Sequence, residues 1–103
     1  MAASEHDALF DALERSVLDG EGVVPAKVRR AVGEDPSGAA APAAARDFVR
    51  KTHVWAPDVT DAEVAALLGA GGLTQDEVYE LAAAASVGAG MARLRAARKA
   101  TGR

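Results

Sequence analysis

The chain has 103 residues, with twelve Lys+Arg against fifteen Asp+Glu, and a net charge of −3 singles out no class of partner. Half of the residues are hydrophobic, 26 of them alanine, and there is no isoleucine and no cysteine. The missing thiol excludes disulfides, thiolate metal sites, thiol nucleophiles and CxxC redox chemistry. Alanine is the strongest helix former and strands want β-branched and aromatic side chains, so the composition favours closely packed helices over a sheet. No apolar run approaches the roughly 18 residues of a membrane span. Met1 to Glu14 places acids early, without the basic and then apolar order of a signal peptide, and a cytoplasmic protein is expected. Nine Arg against three Lys, with much Ala and no Ile, suggest a GC-rich bacterial coding bias.

Ser4 is placed to cap a first helix, with Asp7 three residues on. Leu9, Phe10, Leu13 and Val17 recur at helical spacing, and the helix is expected to stop at Gly20 and Gly22. Pro25 suits a first turn, so a short second helix is predicted through Val28 and Val32 to Gly33. The stretch 34–42, EDPSGAAAP, reads as a loop or linker. A third helix is predicted from about Ala43 to Val54 or Trp55, where Pro57 disfavours helical geometry at Ala56.

Two capping boxes follow, Thr60 with Glu63 and Thr74 with Glu77. Each sets a hydroxyl and a carboxylate where four backbone amides lack partners, and acids where the helix dipole is positive. The first opens a short helix with Val64, Leu67 and Leu68, closed by Gly71-Gly72. The second opens the longest helix, from about Gln75 to Ala100. Val78, Leu81, Ala82, Ala85, Ala89 and Ala92 form one stripe along it, and Tyr79, Ala83, Met91 and Leu94 lie on a neighbouring face.

Gly88 and Gly90 each cost a helix interior about 1 kcal/mol relative to alanine. Close approach of another helix backbone to the Ala84/Gly88 and Ser86/Gly90 pairs is the expected offset, with Met91 beside them; a break in the helix is the alternative. The whole chain, 1–103, reads as one all-α domain, a small bundle of four to five helices with a long C-terminal helix. With few large side chains to bury, a homo-oligomer is expected, each copy gaining burial from the next.

The stretch from Asp47 to Arg93 resembles the alkylhydroperoxidase-like, or carboxymuconolactone decarboxylase-like, helical superfamily. The resemblance is carried by V-T-D-A-E-V-A-A-L (59–67), a glycine-rich turn, L-T-Q-D-E-V-Y-E-L (73–81), and an Ala-rich helix closing on Arg93 and Leu94. It covers under half of the chain. It implies an all-helical fold that assembles as dimers, trimers or hexamers. Active peroxidase members use a CxxC pair with a nearby His and an upstream Glu, and a cysteine-free chain has no position to receive that chemistry. No His/Glu set matches that of the decarboxylase members. Gly88-Ala89-Gly90 stands where many members place an Asn. The implied reading is a shortened, non-peroxidatic relative.

The remaining chemistry is sparse. His53 is titratable near neutrality and lies at a helix end; a general base or metal ligand is weighed against a histidine favoured by the helix dipole. Only His6 offers a second imidazole, and no HxxxH or ExxH spacing exists, so no metal is expected. His53, Trp55 and Tyr79, with Phe48, are candidates for a small-molecule pocket, against the plainer reading of a closed core or an oligomer interface. Asp58, Asp61 and Glu63 offer acids for proton transfer, but capping accounts for the last two. Arg93, Arg95, Arg98, Lys99 and Arg103 form a basic end without interleaved aromatics, and nucleic-acid binding is not expected. No P-loop or G-x-G-x-x-G is present, and no cofactor is expected. Two functions stay open. One is a non-catalytic assembly or accessory protein acting through self-association or a protein partner. The other is a cysteine-independent enzyme or ligand binder near His53, Trp55 and Tyr79.

Overall fold

The computed structural model describes residues 5–55 and 58–102, so the expected roles of Ser4 and Pro57 lie outside the described residues. Five α-helices follow one another: α1 (Glu5–Asp19), α2 (Ala26–Glu34), α3 (Arg46–Trp55), α4 (Asp61–Leu68) and α5 (Gln75–Ala100). No strand occurs among the described residues.

The helix starts follow local chemistry. The Thr74 hydroxyl accepts from the Glu77 amide at 3.1 Å while the Thr74 amide donates to Glu77 Oε1 at 2.9 Å. Thr60 and Glu63 repeat the exchange at 3.2 and 3.4 Å. Pro25 stands at the α2 N-cap, and its carbonyl accepts from the Val28 and Arg29 amides. Segment 35–42 is a wound connection rather than a linker. Asp35 Oδ1 accepts from the Ser37 amide, Gly38 takes a φ of +80°, and Ala41 is buried. A Cβ on Gly38 would run into the Arg46 carbonyl, so glycine is required there for space as well as for conformation. A single 3-10 turn, Ala43–Ala45, precedes α3.

The long helix α5 runs unbroken through Gly88 and Gly90 and serves as the spine. Its most extensive partner is α2, then α3 and α1; α4 touches it least. The core is correspondingly lean. Leu81, Val32 and Val49 are its largest fully buried side chains, with Leu18, Phe48, Leu67 and Val78 around them.

Gly88 permits the closest contact. A Cβ built there would lie 2.5 Å from the Gly33 carbonyl carbon, well inside atomic contact. Gly33 in turn faces the Ala84 carbonyl and a Leu18 methyl, each 3.1 Å from where its own Cβ would be. Three helices therefore meet at two glycines. The Ala84/Gly88 pair lies at this crossing. Ser86/Gly90 does not, because a step of two residues turns the helix by about 200°; both are exposed, and nothing lies within 4 Å of a Cβ placed on Gly90. Met91 is buried.

Candidate functional site

The structure does not gather His53, Trp55 and Tyr79 into one pocket. His53 is buried on α3, and its Nε2 lies 2.6 Å from the Val32 carbonyl. That carbonyl belongs to the last turn of α2, where the residue four positions on is Pro36, which has no N–H to offer. A carbonyl can only accept, so the imidazole donates from Nε2 and supplies the missing bond. Arg93 closes α3 by donating to the His53 carbonyl at 2.6 Å and the Val54 carbonyl at 3.4 Å.

Trp55 is 61% exposed and Tyr79 75% exposed. Tyr79 lines a shallow hollow of about 400 Å³ with Val64, Leu68, Gln75, Asp76 and Val78, in which neither His53 nor Trp55 takes part. Arg93, which touches His53, lies fourteen positions beyond Tyr79, and at 1.5 Å per residue that is roughly 21 Å along the helix. The imidazole and the phenol are thus at different levels of the bundle.

Of the candidate acids, Glu63 is the one tied into the fold. Lys51 Nζ lies 2.9 Å from Glu63 Oε1, and this ammonium holds the Glu63 carboxyl below the usual carboxylate range, helped by the Thr60 amide and hydroxyl. Asp58 and Asp61 are exposed. Among the described residues, no group of three or more His, Asp or Glu could hold a metal ion. Two of the basic residues at the C-terminal end serve the chain itself: Arg93 at α3, and Arg95, whose Nη2 lies 2.7 and 2.9 Å from the two Glu14 oxygens. Arg103 lies outside the described residues.

Arg29, which the sequence reading passed over, organises the α1–α2 connection. It is 3% exposed and donates to the carbonyls of Val24 at 2.9 Å and Val17 at 2.7 Å, and to that of Gly20. Glu80 stands 3.9 Å from it and accepts from the Val23 and Val24 amides, each at 2.9 Å. One guanidinium and one carboxylate therefore satisfy the end of α1 and fasten the loop to α5. A glycine-rich loop with unpaired carbonyls, followed by an arginine between Val28 and Val32, was the available signal. Its partner, however, lies more than fifty positions away.

The remaining concave surface differs in kind. Between α1 and the outer half of α5 runs an almost wholly apolar groove of about 410 Å³, lined by Phe10, Leu13, Ser86, Val87, Gly90, Met91 and Leu94. Of the α1 residues at helical spacing, Val17 packs against the core, whereas Leu9, Phe10 and Leu13 remain 65%, 39% and 50% exposed; the α1 residue that enters the core is Leu18, outside that set. Comparison with protein-family models, with curated proteins and with solved structures returns no match.

Proposed function

We propose that this chain is a non-catalytic helical interaction protein that works by apolar contact through the face formed by α1 and the outer half of α5. The carrying observation is the exposure of Leu9, Phe10 and Leu13 beside the Val87–Leu94 groove. At roughly 200 Å² per large apolar residue, those three side chains alone leave about 300 Å² of apolar surface in water. Contiguous patches of that size on a monomer are often functional contact surfaces. His53, Glu63, Arg93 and Arg95 are occupied instead in capping and in fastening helices. The separation of His53 from Tyr79 leaves the small-molecule reading without a shared cavity.

The likeness of 59–94 to the alkylhydroperoxidase-like superfamily fits this proposal as that of a shortened, non-peroxidatic relative, supported by the all-helical order and the cysteine-free chain. A bacterial cytoplasmic setting is part of the same proposal and rests on composition.

A photo-crosslinking benzophenone side chain at Leu9 tests the reading in cells producing the protein, with the exposed Asp11 position on the opposite side of α1 as control. A discrete crosslinked species from Leu9 and none from Asp11 is the expected result. No adduct from Leu9, or the same adducts from both positions, would overturn it.

A further inference from the structure

We infer that the occupant of the α1/α5 face is a second copy of this chain, with α1 of each copy seated on α5 of the other. The inference rests on the proposed role of that face in protein contact and commits it to one partner. Its geometry follows from the helix directions. Glu14 bonds to Arg95, while Leu18, four residues on, lies at the Gly33/Gly88 crossing, so α1 runs antiparallel to α5. The acid-rich start of α1 therefore lies beside the basic end of α5.

Shape comes first. One face carries both bulk and hollow: Leu9 and Leu13 project from α1, while Gly90 on α5 has open space where a side chain would stand. Apolar and small residues recur along α5 at 83, 87, 90, 94 and 97, alternating four and three apart, and along α1 at 9, 13 and 16 in the same rhythm. That is the heptad spacing of helices that receive another helix, knobs into holes. A two-fold axis running along the helices places the projecting α1 of one copy on the hollowed α5 of the other. A two-fold axis across the helices would set Leu13 against Leu13 and leave the hollows facing each other.

Charge selects the same arrangement. Within α1 there are five acids against one arginine; with Glu14 paired to Arg95 and Asp19 to Arg30 inside the chain, the acid excess left lies toward the start of the helix and acts through the net charge of that end. Arg93, Arg95, Arg98 and Lys99 make the other end of the pair basic, with no acid among them, and the pairing of Arg95 with Glu14 offsets only one of these charges. With the axis along the helices, each basic end lies between two acidic helices, its own and the partner's. With the axis across them, two copies of α1 would repel. Size sets the strength of the contact: two helices about 10 Å wide, side by side over the fifteen residues of α1, cover roughly 20 by 22 Å, about 440 Å² and below the ~800 Å² that each partner gives to a standard interface, so the dimer is a weak, concentration-dependent one.

Sedimentation equilibrium on the full chain, with the Leu13→Glu and Gly90→Gln variants, tests this. The expected result is a dimer of twice 10.5 kDa for the native chain. Both variants are expected to weaken association by about 30-fold or more while keeping native helicity by circular dichroism. Leu13 is half exposed and Gly90 has free space, so the folded monomer accepts either change. Raising salt from about 0.05 to about 1 M should also weaken association. A native chain that is monomeric throughout, or a dimer untouched by both variants, would overturn the second copy as occupant. A heavier crosslinked species at Leu9 in cells would then still uphold the contact role of the face.

Orientation is tested separately, because a cysteine placed in this chain has no native thiol to compete with it. Leu13→Cys should stay reduced, since with the axis along the helices the two copies of residue 13 lie diagonally across the bundle, beyond disulfide reach, whereas the axis across the helices would bring them together. Rapid disulfide formation between two such chains would overturn the seating of α1 on α5.

Discussion

Gly88 and Gly90 stand two residues apart on the same helix and do opposite things. At Gly88 a neighbouring backbone occupies the space of the missing side chain; at Gly90 that space is empty. The crossing at Gly88 is a finished interior contact of α2 with α5, and the surface at Gly90 is an unfilled one between α1 and α5. The same residue type, with the same helix-propensity cost, thus marks a closed seam and an open groove.

Substitution tests this contrast most strongly at the closed seam. Gly88→Ala forces a methyl into the Gly33 backbone, and two helix backbones cannot give way as a side chain can. A loss of about 3 kcal/mol or more is expected, or a fall in Tm of roughly 12–20 °C in thermal melting. Next comes the lock beside it. Arg29→Met removes the donor to three carbonyls and leaves Glu80 without its cation, for a loss of about 2–4 kcal/mol in urea unfolding.

Gly90→Ala reverses the sign. The position is helical and unobstructed, so alanine should raise stability by about 0.5–1 kcal/mol when unfolding is measured at low protein concentration. A loss at Gly90 comparable to that at Gly88 would erase the distinction between the two regions.

The smallest effect is electrostatic. Lys51 holds Glu63, Arg30 holds Asp19 and the Ser37 hydroxyl holds Asp35, each carboxyl below its usual range. Carboxyls depressed in the folded state contribute stability that is present above their ordinary range and lost as pH falls through the folded values. Tm should therefore decline below about pH 4. Glu63→Gln keeps a capping residue while losing the ion pair, and should make that decline shallower.

The helices were legible because their signals are local. Thr60 with Glu63 and Thr74 with Glu77 reach only three residues, and the long α5 could be read to its end from the apolar period. The backbone approach at Ala84/Gly88 was legible from its energetic cost alone. Its partner, Gly33, was not, since nothing local ties positions more than fifty residues apart. The same limit hid Arg29 and Glu80. On α1, periodicity gave the helix and its apolar spacing but not what covers it: α2 has nine residues against fifteen in α1, and Leu9 and Leu13 remain in solvent. Trp55 and Tyr79 misled for a related reason: residue type suggests a pocket, but rotation about the helix decides whether a ring faces inward.

The bond from His53 to Val32 makes one ring a gauge of the whole interior. Its Nε2 hydrogen is held between α2 and α3, so replacing it by deuterium requires those two helices to part. The exchange rate of this single imidazole hydrogen, followed by nuclear magnetic resonance, would report how often the centre of the molecule opens to water, without any added probe.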